Sequence, residues 1–239
     1  MTRVALGLCL LAAAQAAAPN PAALLQQFDA VRNGWNSFVV RVRISNYEEG
    51  QQDEEHVFQV YQKGPERSYV EFLSPREKGR HLLMLGDDMW IYLPDTSRPI
   101  RITPIERLTG NASNGDVART NYAADYDPVY LRLETLNAVA CHVLELTAKR
   151  KAATYRKVHL WLRADTGRPV KADFFVASGR QFKTATYDRY GEVSGHLMLR
   201  RMTIYDQVRK NSRSVIEYLE ITPRALPDRL FHQGRTERF

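Results

Sequence analysis

Residues 79–104, GRHLLMLGDDMWIYLPDTSRPIRITP, constrain the fold more than any other stretch of the chain. They pack two apolar runs and three turn signals into one short span, and they read as three strands of a meander. His81–Leu85 is apolar on both sides, with Leu82 and Met84 on one face and Leu83 and Leu85 on the other. Asp87-Asp88 turns the chain, and Met89–Leu93 begins again with Trp90 and Tyr92 alternating against Met89, Ile91 and Leu93. Pro94 and Pro99 bracket a polar loop before Ile100 and Ile102 resume the alternation. Strands that are apolar on both sides need something covering each face of their sheet. Two arrangements satisfy this: a filled sandwich, or a sheet with one face lining a cavity for an apolar ligand.

The rest of the chain keeps the two-residue period. Phe38, Val40, Val42 and Ile44 alternate with Val39, Arg41, Arg43 and Ser45, giving a strand with one apolar face and one largely charged face. A polar turn at 48–55 follows, then Phe58 and Val60 against Gln59 and Tyr61, and Val70 and Phe72 against Glu71. Similar runs recur at 129–134, 139–148, 155–163, 169–177, 181–189, 196–206 and 213–222, with Asp165-Thr166-Gly167, Ser178-Gly179 and Tyr190-Gly191 as turn signals. No helix-length segment separates them, so the sheet is expected to be antiparallel, with roughly ten strands. Ahead of the strands, Asn20-Pro21 is a helix cap followed by proline at the first helical position. The helix expected over 21–33 carries Leu24, Leu25, Phe28 and Val31 on one face and stops at Gly34. The long interruption at 105–128 predicts a helical turn at Ile105–Leu108 and a second short helix through Asp116–Tyr122, capped by Ser113 or Asn114. An excursion of that length inside a meander usually marks a lid or a binding loop.

Several segments together resemble a known family: Lys63-Gly64-Pro65, the YVEFLSP run Tyr69–Pro75, Lys78-Gly79-Arg80, the GDDMWIYLP run Gly86–Pro94, Arg98–Ile102, Asn114-Gly115-Asp116 and the CHVLEL run Cys141–Leu146. The chain resembles the outer-membrane lipoprotein-sorting proteins, the LolA-like periplasmic carriers, in the branch associated with RND-type exporters. The likeness runs from about Phe38 to about Phe231. It implies an incomplete, strongly curved antiparallel β-barrel, mainly β, with short lid helices over an apolar concave face that takes acyl chains.

The first residues place the chain outside the cytoplasm. MTRVALGLCLLAAAQAAA has Arg3, an apolar run Val4–Leu11 and then small residues, the three parts of a secretory signal peptide. The run is too short for a membrane span, which takes about 20 residues. Cleavage near Ala16 is expected, leaving 17–239 as a single carrier domain in the periplasm. Leu8, not a small residue, precedes Cys9, so no lipid anchor is expected. Losing Cys9 leaves Cys141 with no disulfide partner, and stability must come from the core. Cys141 reads as a small buried hydrophobe, and His142 beside it points to the opposite face of the strand.

The chain carries 34 Lys and Arg against 27 Asp and Glu, a formal net charge of +7. The basic residues are scattered, with small clusters at Lys149-Arg150-Lys151 and Arg200-Arg201. No nucleic-acid motif accompanies them, so membrane phosphates or solvated edge positions are the readings that remain. No constellation for catalysis is visible. The six histidines, His56, His81, His142, His159, His196 and His232, have no zinc spacing, and neither a GxSxG elbow nor a glycine-rich phosphate loop occurs. Asp116, Asp125 and Asp127 crowd the long loop without calcium-loop spacing and read as capping or turn residues.

The expected function is therefore non-enzymatic, with no cofactor and no catalytic or metal-binding residue. A monomeric periplasmic carrier would hold the acyl chains of a lipoprotein or lipid in an apolar cavity and pass them towards the outer membrane. An inner-membrane exporter and an outer-membrane acceptor are the protein partners this implies. The cavity is expected to be lined by Val40, Val42, Phe58, Phe72, Trp90 and Tyr92, with Arg41, Arg43, Gln59 and Glu71 pointing away. The alternatives are an accessory subunit of an RND-type exporter that holds no ligand, and an enzyme acting on lipids.

Overall fold

The computed structural model describes residues 19–233, so the leader expected at 1–16 lies outside the described residues. A first helix, α1 (Pro21–Ala30), precedes six strands: β1 (Ser37–Glu48), β2 (Gln51–Lys63), β3 (Arg67–Phe72), β4 (His81–Leu85), β5 (Asp88–Tyr92) and β6 (Ile100–Ile102). A crossing segment follows with β7 (Arg107–Thr109), β8 (Ala112–Ser113), α2 (Asn114–Ala118) and α3 (Tyr122–Asp125). The chain then re-enters the sheet through β9 (Tyr126–Leu136), β10 (Val139–Ala148), β11 (Lys157–Arg163), β12 (Pro169–Phe175), β13 (Gln181–Val193), β14 (His196–Asp206) and β15 (Ser212–Pro223).

Thirteen of these strands form one antiparallel sheet in the order β6-β5-β4-β3-β2-β1-β15-β14-β13-β12-β11-β10-β9. It consists of two meanders, β1–β6 and β9–β15, zipped together where the first strand pairs with the last. The outer strands β6 and β9 do not pair, so the barrel stays open along a seam. The sheet is larger than the roughly ten strands expected because even the three-residue β6 joins it as an edge. Register shifts at Arg41/Val42, Val143/Leu144, Phe174/Phe175 and around Arg189 add twist and curl the sheet.

Cross-strand pairing sorts the side chains by face. Val40, Val60, Val70, Leu82, Ile91 and Ile100 stand opposite one another in successive strands, with Val42, Phe58 and Phe72 in the next such row. This is the concave face, and its core also takes in Leu24, Leu25 and Phe28 of α1 and Val117, Ala118 and Tyr122 of the crossing segment. The convex face has its own row, Val39, Tyr61, Tyr69, Leu83 and Trp90. Leu226, Leu230 and Phe231 of the C-terminal segment cover it.

Three expectations need correction. Trp90 and Tyr92 lie on the convex face, not with Val40 and Phe58. Gly86-Asp87 makes a two-residue turn that sets Leu85 opposite Asp88 and Met84 opposite Met89, so Met89 and Ile91 inherit the inner face. The helical turn expected at Ile105–Leu108 is instead a small hairpin, β7 with β8. The helix expected over 21–33 ends at Ala30, where the Asp29 carbonyl accepts the N–H groups of Arg32 and Asn33 at 3.0 and 2.8 Å and closes the last turn. The Ser113 cap is present: its N–H donates to the Asp116 carboxylate at 2.8 Å in a capping box, although the helical stretch splits into α2 and a separate α3 capped by Asn121.

Phe58 is fully buried and meets the Phe72 ring edge-on, with centroids 5.0 Å apart. Phe58→Ala should cost about 3–5 kcal/mol of unfolding free energy in urea titrations. A loss below about 1 kcal/mol would show that this part of the concave face is a loose wall rather than a packed core.

Candidate functional site

The concave face is closed by α1 and by the segment that crosses from β6 to β9. Asn20 starts α1 by accepting from the N–H groups of Ala22 and Ala23 at 2.9 and 3.3 Å. At the other end of the helix, polar side chains tie it to the crossing segment. The Asp29 carboxylate accepts the N–H groups of Tyr122 and Ala123 at 2.8 and 2.7 Å, acting as a remote cap for α3. The Asn33 side chain donates to the Thr120 carbonyl at 3.2 Å, and the Thr120 hydroxyl donates back to Asn33 Oδ1 at 2.6 Å. Arg32 Nη2 donates to the carbonyl oxygen of Asp116 at 3.2 Å, and the guanidinium lies 5.5 and 5.4 Å from the ring centroids of Phe28 and Tyr122.

A second set of contacts braces the crossing segment internally and holds it to the sheet. Arg119 and Asp125, both almost fully buried, form a two-pronged ion pair at 2.6 Å per contact. Arg119 Nη1 also donates to the Gly86 carbonyl at 2.7 Å. The Tyr155 hydroxyl donates to the Asp116 carboxylate at 2.8 Å, and Lys183 Nζ donates to the Ser113 hydroxyl at 2.8 Å. Burial pulls the Lys183 ammonium below its ordinary pKa and pushes the Tyr155 and Tyr122 phenols up. One clasp spans the seam: Arg150, in the β10–β11 loop, pairs with Glu66 and Asp87 at 2.6 Å each, joining one end of the sheet to the other.

Between α1, α2 and the strands β1, β2, β14 and β15 lies a pocket with about 440 Å³ of atom-free space, counted out to its solvent-open mouth. Its apolar walls include Phe38, Val40, Val42, Val60 and Leu199. Arg32, Gln62, Thr120 and Tyr218 supply its polar groups. The enclosed depth is of the size that holds a water molecule, so an acyl chain enters only if α1 and the crossing segment move outward.

Of the six residues expected to line a cavity, Val40 and Val42 face this pocket. Phe58 and Phe72 share their sheet face but are packed into the adjoining core, and Trp90 and Tyr92 are on the other side of the sheet. Sequence reasoning missed Asp29, Arg32, Thr120, Gln62 and Tyr218. One signal for Arg32 is present in the chain: it stands four residues after Phe28, so on the helix expected over 21–33 a cation falls on the apolar stripe, although in the structure it lies in the turn after α1. The three loop aspartates have structural work. Asp116 caps α2, Asp125 pairs with Arg119, and Asp127 lies 4.0 Å from Lys149. Among the described residues no three His, Cys, Asp or Glu side chains gather in a way that could hold a metal ion. Cys141 is buried, which raises its thiol pKa, and it packs with Val143 and Trp161. His142 points to the opposite face, towards the Tyr130 hydroxyl.

Asp29 makes the lid sensitive to pH. Burial pushes its carboxyl up to about 6, against the pull of the Ala123 and Tyr122 N–H groups and of Arg32. The unfolded carboxyl titrates near 3.8, so between these values the folded protein holds a proton that the unfolded chain has released. Stability from this group therefore falls as pH rises from about 4 to about 6 and is flat above. Relative to an Asp29→Asn variant, the wild type should lose on the order of 3 kcal/mol between pH 4 and pH 7, at roughly 1.36 kcal/mol per unit of pKa shift. Urea titrations across that range check this, and parallel profiles for the two proteins would overturn it.

The geometry has counterparts among known proteins. A family model described only as an uncharacterized protein matches residues 64–238. No curated protein matches the chain. A LolA superfamily protein of Nitrosomonas europaea superposes with a TM-score of 0.85 at 36% identity, over 90% of this chain and 98% of that one. A DUF1329 family protein of Desulfovibrio piger gives a TM-score of 0.77 at 23% identity, over 90% and 96% of the two chains. A domain of Vibrio parahaemolyticus assigned to outer membrane lipoprotein sorting gives 0.76 at 19% identity, over 90% and 97%. These last two share the fold. With 36% identity to the Nitrosomonas protein over 90% of this chain and 98% of that one, this chain belongs to the LolA superfamily.

Proposed function

We propose that the protein is a periplasmic carrier that shields an acyl chain, of a lipoprotein or another lipid, and passes it towards the outer membrane. It does so as an exported monomer, without catalysis. The observation that carries this reading is the apolar pocket between the concave sheet and a lid tied to it largely through side chains, with backbone bonds such as those from the Leu199 N–H to the Val31 carbonyl and from the Lys149 N–H to the Asp125 carbonyl. Burying a sixteen-carbon chain is worth on the order of 10 kcal/mol before ordering costs, at roughly 0.8 kcal/mol per methylene. Each hydrogen bond between α1 and the crossing segment contributes about 1 kcal/mol net. The five such bonds come to about 5 kcal/mol, and the remainder of the gain is available to offset the apolar contacts of Leu25 and Phe28 that opening exposes. An inner-membrane donor and an outer-membrane acceptor complete the route.

A second reading, an accessory subunit of a membrane exporter, is favoured by the β9 edge. Val129, Leu131 and Leu133 are 56%, 40% and 59% exposed there, apolar side chains that offer a contact surface without strand addition.

Native mass spectrometry of gently purified protein should show a bound lipid, and a dansylated fatty acid should bind the delipidated protein. Tryptophan emission locates the event. Trp35 packs 6.2 Å from the pocket residue Phe38, whereas Trp90 is on the convex face. Trp35→Phe should remove the ligand-induced change in emission, and Trp90→Phe should leave it. A change that follows Trp90 would move the site to the outer face, and failure of any lipid or probe to bind would leave the accessory-subunit reading.

A further inference from the structure

Arg32 places a buried cation on the concave side. It is 8% exposed and walls an otherwise largely apolar pocket, yet its Nε has no hydrogen-bond partner. The carboxylates near it are already engaged. Asp29 accepts from two backbone N–H groups, and Asp116 accepts from the Ser113 N–H and the Tyr155 hydroxyl, offering Arg32 only its carbonyl oxygen. A guanidinium has five N–H donors arranged to meet a planar or tetrahedral oxyanion, and a buried one without a carboxylate partner is expensive. The Tyr218 phenol stands beside it in the same wall as a neutral hydrogen-bond partner, its hydroxyl donating to Met202 Sδ at 3.9 Å, so the guanidinium meets no anion there. Val40, Val42 and Val60 provide an adjoining apolar surface.

Resting on the carrier reading above, we infer that the pocket takes a single-chain amphiphile with a terminal anion, a carboxylate or a phosphate. The oxyanion meets Arg32 and Tyr218, and the chain lies along the Val40–Val42–Val60 wall. Such a ligand contributes the counter-charge that the protein does not supply at contact distance, and it separates this site from one built for neutral esters and amides alone. The charge-assisted bond forms in a pocket shielded from water, where such bonds are strongest.

Calorimetric titration of the delipidated protein with dodecanoate, dodecyl phosphate and dodecanol, each below its aggregation threshold, tests this without any variant. The two anions should bind roughly tenfold or more tightly than the alcohol, as a charge-assisted bond predicts. If only one anion shows the preference, that result names the headgroup. Arg32→Met should bring the anions to the affinity of dodecanol and leave dodecanol unchanged, and Arg32→Lys should recover part of the preference. If Arg32→Met does not fold, the wild-type comparison decides alone. Equal affinity for all three ligands would overturn the inference and leave the carrier reading standing, whereas no binding of any of them would overturn both.

Discussion

A sheet that is apolar on both faces cannot stand in water unless each face is covered, and the two covers of this sheet differ in kind. The convex cover is the C-terminal segment. Leu226, Leu230 and Phe231 lie over Tyr69 and Leu83, while Lys63 donates to the Leu226 carbonyl at 2.7 Å and Arg67 meets Asp228 at 2.6 Å. Tyr92 donates to the Gln233 carbonyl at 2.6 Å, so the aromatic residue that is out of phase with the cavity works as an anchor for this strap. Here the buried groups are mainly apolar and aromatic. The concave cover also buries Leu25 and Phe28, but it places Asp29, Arg32, Asp116, Arg119 and Asp125 among them. A cover meant only to exclude water has no need of five ionisable groups. Their cost is understandable if the cover must release in a defined way.

The polar contacts of the lid fall into two classes with different consequences. Arg119 with Asp125 is a fully buried, two-pronged pair inside the crossing segment itself, and removing one partner would strand the other in the core. It keeps the segment in one shape. The contacts of Asp29 and Asn33 run instead between α1 and that segment, and each is an ordinary hydrogen bond that water or a ligand can replace. The lid is thus stiff within itself and loosely fastened to the helix next to it. On the proposed carrier reading, that division would let α1 and the segment part as bodies rather than unravel.

How far the sequence foretold this depends on the distance over which each feature is decided. The two-faced run at 81–92, the Asn20-Pro21 cap and the Ser113 capping box rest on neighbours within a few residues, and they were legible. So was the inner face of Val40, Val42, Phe58 and Phe72, because period-two alternation within each strand sets it. Trp90 and Tyr92 were misplaced because phase does not carry across a turn of unknown length, and one residue exchanges the faces. The polar fastening was invisible for a different reason. Arg32 meets Asp116, Asn33 meets Thr120 and Asp29 meets Tyr122, pairs that only the folded topology brings together. A buried cation on an apolar helix stripe hints at such a partner and cannot name it.

The open seam follows from the same division of labour. A closed barrel would satisfy every edge by backbone pairing, but its bore could change only by breaking a ladder of hydrogen bonds. In this chain the edges are managed separately. β6 is three residues long, and β9 carries Pro128, a bulge at Leu131 and the charged pair Arg132 and Glu134, all features that discourage another strand from adding. Closure across the gap is left to the crossing segment and to Arg150, whose two carboxylate partners Glu66 and Asp87 are about half-exposed. Exposed ion pairs contribute little to stability, so the seam is the least costly line along which the structure can widen. The fold therefore keeps its strong, cooperative pairing around the curve of the sheet, where β1 meets β15, and leaves its weaker, exposed contacts to the seam at the two outer strands.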